Sequence, residues 1–160
     1  GLFVLDILKL FKGKKAHSAL AEKFMCGSYF KYLPNSTSKV DWVVGNPEEL
    51  EKYKNNERCQ IRFTVGAYYD MVKTLKKVNS KKWAKKINKD MPIILLAGAQ
   101  DPVGQYGKGV CQVYCLLEKQ CVKHLDLRIY SDARHEVHNE LEPAKSAFYN
   151  EVKCFIERNI

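Results

Sequence analysis

Two short loops hold the residue types that acid–base chemistry needs. The first reads Gly98-Ala99-Gln100-Asp101-Pro102-Val103-Gly104, and the second Ser131-Asp132-Ala133-Arg134-His135-Glu136. A carboxylate that accepts the Nδ1 proton of an imidazole fixes its tautomer and stabilises the imidazolium, which frees Nε2 to take a proton from a nucleophile. Asp101 and His135 are therefore the candidate acid and base. Taken singly, each residue means little, because an Asp-Pro after a strand is often a plain turn and a loop histidine is often a surface residue. Their shared position, each just past an apolar run, gives the pair its weight.

The elements that must deliver them follow from the flanking patterns. Pro92-Ile93-Ile94-Leu95-Leu96-Ala97, closed by Gly98, is the continuous apolar run of a strand buried on both faces of a parallel sheet. Helical spacing of Val110, Val113, Tyr114 and Leu117 predicts a helix over about 107–119, and Leu125, Leu127 and Ile129 alternate as a second strand closed by Tyr130. A last helix over about 143–158 starts at Pro143 and is expected to bury Phe148, Val152, Phe155 and Ile156. Strand, helix, strand, helix makes one right-handed parallel crossover with a covering helix. Both loops then leave the same edge of the sheet, on strands about 5 Å apart, so Asp101 and His135 are expected to meet. Two such strands need more sheet beside them, and residues 1–89 do not offer it. The remaining strands are expected from a missing N-terminal half or from another chain; Gly in place of Met at residue 1 points the same way.

Before residue 90 the character is different. That part holds 19 Lys+Arg against 8 Asp+Glu, and the rest 8 against 10, so the net charge of +9 belongs to one half. A solvated lysine-rich surface explains it best, and no nucleic-acid motif accompanies it, so nucleic acid is not an expected partner. The opening Leu2 to Phe11 reads as a very apolar helix that must pack on something; with Asp6 and Lys9 inside it and so few residues, it is neither a signal peptide nor a membrane span. Residues 1 to about 80 read as short helices and links with scattered aromatics (Phe24, Tyr29, Phe30, Tyr32, Trp42, Phe63, Tyr68, Tyr69) and no persuasive strand. The lysine-rich stretch from Lys76 to Lys89, with Trp83 and Ile87 four apart, is expected to form a short helix with one buried edge. The six cysteines, Cys26, Cys59, Cys111, Cys115, Cys121 and Cys154, show no C-x-x-C pair and no histidine at zinc-ligand spacing, so no metal is expected and reduced thiols are the default.

At this point a resemblance becomes specific. PIILLAGAQDPVGQYGKGV, followed by LDLRIYSDARHEVHNEL and an amphipathic helix, resembles the end of the lysophospholipase and monoacylglycerol lipase-like α/β-hydrolases, also called the serine aminopeptidase-like group. There the D-P-V-G and R-H-E-x-x-N-E elements bear the acid and the histidine, which carries those roles to Asp101 and His135, in the chain order of this fold. The first half is similar to the helical cap of those enzymes through Asp41-Trp42, Tyr53, Cys59 and Phe63-Thr64-Val65-Gly66. Departures fall mainly in the cap, where substrate preference is set: Val43-Val44 stands for the usual Leu-Ser, Gln60-Ile61 for Gly-Phe, and His138 for an aliphatic residue. The implied fold class is α/β, the C-terminal part of an α/β-hydrolase with its parallel sheet and flanking helices, preceded by a mainly helical cap. The implied division is a cap or lid over 1–80, a lysine-rich connector over 81–91 and the core over 92–160.

The G-x-S-x-G elbow of such enzymes is absent from these 160 residues. Ala16-His17-Ser18-Ala19-Leu20 imitates its chain order but ends in bulky Leu20 and follows Lys12-Gly13-Lys14-Lys15 instead of a buried strand, so Ser18 is rejected as nucleophile. The expectation is a serine esterase or lipase-type hydrolase acting on acyl lipids such as lysophospholipid or monoacylglycerol, with its serine upstream and no cofactor. Alone, the chain lacks nucleophile and oxyanion donor and is expected to be inert. The alternative is a noncatalytic remnant that serves as an interaction protein. A cytoplasmic location is expected, with peripheral membrane contact through the apolar opening helix and its lysines.

Overall fold

The computed structural model describes residues 2–27, 29, 33, 36, 38–79 and 81–159, without the side chain of Cys26. Of the scattered aromatics, Phe30 and Tyr32 lie outside the described residues.

The basic part is helical: α1 (Leu2–Lys12), α2 (Ala19–Cys26), α3 (Pro47–Asn55) and α4 (Val65–Val78). Three starts are capped by side chains that accept an otherwise orphaned N–H, namely Ser18 for α2, Asn46 with Pro47 behind it for α3, and Thr64 for α4. Among the described residues here, extended pairing is confined to a bridge between His17 and Thr64. Leu5, Ala21 and Tyr68 form a small core joined by Leu8, Met25, Tyr69 and Val72, so α1 packs on α4 through one stripe. Of its other apolar side chains, Phe3, Ile7, Leu10 and Phe11 are exposed.

The chain then enters the sheet. β1 (Ile93–Gly98) and β2 (Leu125–Tyr130) pair in parallel, Ile93 opposite Leu125 and Gly98 opposite Tyr130, with α5 (Lys108–Glu118) as the crossover and α6 (Ala144–Asn159) after them. This is a small parallel sheet with flanking helices, the arrangement that the resemblance implies for the C-terminal part of an α/β-hydrolase. A second core, Tyr130, Ala133 and Val137 with Leu96, Ala144 and Phe148, lies beneath the loop that follows β2.

Three expectations need correction. The stretch before β1 does not form a separate α-helix: α4 ends at Val78 and one 3-10 turn follows at Ala84–Lys86, with Trp83 and Ile87 half-buried. Lys81 with Lys85 and Lys82 with Lys86 would stack like charges four residues apart, which opposes an α-helix there. β1 is only half-buried over Ile93–Leu96, because it has a single neighbouring strand. On α6, Phe148, Val152 and Phe155 are half-buried and Ile156 is exposed. The helix (16 residues) packs chiefly against the turn at Val137–Asn139 and the core around Tyr130, which covers only its first turns.

Candidate active site

The two loops are knitted together before any side chain takes part. Past the last ladder pair, the Ala99 N–H donates to the Tyr130 carbonyl at 2.8 Å and the Gln100 N–H to the Ala133 carbonyl at 2.9 Å. Gly98 makes the close approach possible, since a Cβ there would lie 2.2 Å from the carbonyl oxygens of both Ala133 and Arg134.

Asp101 sits at the turn of the first loop, 7 % exposed. Its Oδ1 accepts the Val103 N–H at 2.8 Å, and its carbonyl accepts the Tyr106 N–H at 2.8 Å. Gln105, Tyr106 and Gly107 all take left-handed backbone conformations, and this tight reversal launches α5 directly behind the carboxylate.

His135 closes the pair. Its Nδ1 lies 3.0 Å from Asp101 Oδ2, and an ionised carboxylate can only accept, so the ring nitrogen is the donor. The carboxylate side chain is 10 % exposed and the imidazole 41 %, so the acid is shielded while the base faces outward. The hydrogen bond to Asp101 raises the imidazole above its ordinary pKa; partial burial opposes the rise, and the charges of Asp101 and Glu136 add to it. Among the described residues no serine hydroxyl hydrogen-bonds to His135. Ser18 is buried, and its Oγ accepts the Ala21 N–H at 3.4 Å as the cap of α2. His138 is exposed, its ring 6.1 Å from Phe148, and takes no part in the pair.

Sequence reasoning did not foresee how the helical part holds this loop. Trp42 stands with its ring centroid 5.4 Å from the imidazole, and Tyr29 packs edge-on against Trp42 at 5.2 Å. The His135 N–H reaches the Trp42 carbonyl at 3.4 Å, and the Glu136 N–H reaches the Val43 carbonyl at 2.8 Å. The Arg134 guanidinium donates to the carbonyls of Asp41 at 2.6 Å and Val44 at 3.2 Å. Glu140, buried, accepts from the backbone N–H groups of both Gly45 and Arg134. The contacts between residues 41–45 and residues 134–140 join positions some ninety residues apart, and no local spacing announces them. A cavity of about 560 Å³ opens beside the same loop, lined by Gln100, Tyr130, Asp132, Arg134, Glu140 and Leu141 among others, but neither Asp101 nor His135 reaches it. It is therefore not the place where this pair would meet a substrate. Among the described residues no cluster of three or more metal-ligating side chains is found.

The arrangement can move a proton between an imidazole Nε2 and an approaching hydroxyl, with a shielded carboxylate to balance the charge. Known proteins place the chain in a family and a fold. The family described as serine aminopeptidase, S33, a hydrolase family, matches residues 7–142. The chain is similar to a carboxyl esterase from Bacillus coagulans, at 26% identity and a TM-score of 0.84 over 98% of this chain and 50% of that one. It shares its fold with a monoglyceride lipase from Saccharomyces cerevisiae (13% identity, TM-score 0.59, 99% of this chain and 49% of that one). It shares it also with a monoacylglycerol lipase from Paleococcus ferrophilus (16%, 0.61, 98% and 64%). The chain thus spans about half the length of the first two. No curated protein sequence matches it. With the matched region running from α1 through the acid and histidine loops, this chain belongs to the serine aminopeptidase S33 family of hydrolases.

Proposed function

We propose that this chain supplies the acid and the base of a Ser-Asp-His triad to a carboxylic ester hydrolase. The observation that carries the reading is the 3.0 Å contact between His135 Nδ1 and Asp101 Oδ2, on loops that leave one edge of a parallel sheet. His135 Nε2 takes the proton of a serine hydroxyl as its oxygen attacks the ester carbonyl, then returns it to the leaving alcohol. Water repeats the sequence on the acyl-serine, and Asp101 stabilises the imidazolium in both halves. The serine and the oxyanion donors come from sequence upstream of these residues or from another chain, and the 160 residues alone are inert.

Acyl lipids such as lysophospholipid or monoacylglycerol are the proposed substrates, with residues 1–80 as a cap or lid over the site. Supporting this, α1 exposes Phe3, Leu10 and Phe11 near Lys12, Lys14 and Lys15, an apolar face with basic residues close by, suited to the surface of a lipid aggregate. Among the described residues no helix is long and apolar enough to cross a membrane, so contact would be peripheral.

The test is turnover of short and long acyl esters by the intact polypeptide that carries both this chain and its nucleophile. His135→Ala is expected to cut kcat/KM by about 10⁴-fold, since the base is needed to form and to break the acyl-enzyme. Ser18→Ala should leave turnover unchanged. Activity that survives the first change, or disappears with the second in a folded protein, places the chemistry elsewhere. An intact polypeptide with no hydrolytic activity points instead to a noncatalytic interaction protein.

A further inference from the structure

Glu140 is only 3 % exposed, yet among the described residues it forms no ion pair. Buried carboxylates are rare without a cation. This one is satisfied by backbone alone: its two oxygens accept the Gly45 N–H, each at 2.9 Å, and Oε1 also accepts the Arg134 N–H at 2.7 Å. The nearby Arg134 guanidinium turns away from it, to the carbonyls of Asp41 and Val44. The carboxylate therefore spans two segments that both touch the imidazole. Arg134 is covalently next to His135, and Gly45 closes the stretch whose Trp42 ring lies 5.4 Å from the histidine ring.

We propose that Glu140 is a positioning residue for His135, a buried clamp that fixes the backbone before the imidazole and the Trp42 segment beside it, so that the ring stays in line with Asp101. The inference rests on the reading of His135 as the base. A carboxylate suits the task because two N–H donors converge on it, one of them shared between its oxygens, and it brings no donor of its own against them. Gly45 fits the same role: a Cβ there would lie 2.6 Å from Glu140 Oε2.

That close approach separates geometry from charge. Gly45→Ala displaces the carboxylate without adding or removing a charge. Glu140→Gln removes the charge but keeps one oxygen able to take both N–H groups. Glu140→Ala removes clamp and charge together. The charges that act on the imidazole, Asp101 and Glu136, are untouched in all three. The measurement is an NMR titration of the histidine-labelled intact polypeptide, the His135 signal assigned by its loss in His135→Ala, together with ester kinetics and a melting curve.

Gly45→Ala and Glu140→Ala should move the His135 midpoint down towards the ordinary histidine value as the Asp101 contact loosens. They should also lower kcat by roughly 10²-fold, the cost of misplacing a reacting group by about 1 Å, with KM little changed. Glu140→Gln should retain most of both. If Glu140→Ala does not fold, the other two variants decide. A Gly45→Ala titration superimposable on wild type overturns the clamp, as does a Glu140→Gln as damaging as Glu140→Ala. Should His135→Ala keep its turnover while Gly45→Ala still shifts the titration, the base assignment fails and the clamp stands.

Discussion

At the scale of the residue, the contact between His135 and Asp101 has a consequence in pH. The hydrogen bond to Asp101 is the largest cause raising the imidazole above its ordinary value, about 6.5 for a free side chain. A base works only when neutral, so kcat/KM should fall as the pH drops through that raised value, and the acid limb should lie above the usual histidine range. In Asp101→Asn the limb should move to lower pH and the rate should drop by about 10⁴-fold, because the tautomer is no longer enforced. A pH–rate profile of the two proteins checks it, and an unmoved limb would mean that His135 does not titrate in catalysis. The same bond stabilises the fold most at pH below the unfolded histidine value and stops doing so as pH rises through the folded one. Both residues were legible in the sequence because each follows an apolar run directly, at a loop position that the pairing of two parallel strands brings together. Glu140, Arg134 and Gly45 were not, since their partners lie about ninety residues away and burial of an acid leaves no mark on the spacing around it.

Among the elements, β2 and α5 could be read from their apolar periodicity and β1 from its continuous apolar run, while the extent of α6 was legible but its burial was not. The lysine-rich stretch misled, since two apolar residues four apart promised an edge that like charges on the same turn do not permit. The closeness of β1 to the histidine loop is the element-scale property that is easiest to disturb. In Gly98→Ala, the new methyl meets two backbone carbonyls at 2.2 Å, and backbone cannot rotate away as a side chain can. Overpacking of this kind costs about 1–3 kcal/mol, or a Tm lower by several degrees at about 2–4 °C per kcal/mol for a chain of this size. Thermal melts followed by circular dichroism measure it, and an unchanged Tm would show that the loop has room to move aside.

Across the whole molecule, the described residues form a two-stranded sheet and two small cores and leave much apolar surface exposed. β1 pairs with β2 on one side only, and Leu10 and Phe11 on α1 are each 81% exposed. Unpaired strand edges and open apolar patches recruit other chains. The 160 residues prepared alone should therefore self-associate or aggregate, and addition of the missing sheet should make them monomeric; light scattering on size-exclusion eluate distinguishes the two. The expectation of further strands came from the continuous apolar run of β1, for which residues 1–89 offer no persuasive partner strand. The link from Gly45 to Glu140, 95 positions along the chain, finally bears on the order of assembly. β1, α5 and β2 are neighbours in sequence and close a short loop, whereas the stretch around Trp42 must find its partner across most of the chain, a slower and more costly closure. The imidazole thus meets its carboxylate within its own crossover, whereas its tie to the Trp42–Gly45 stretch depends on the longer closure and should be the later of the two to form.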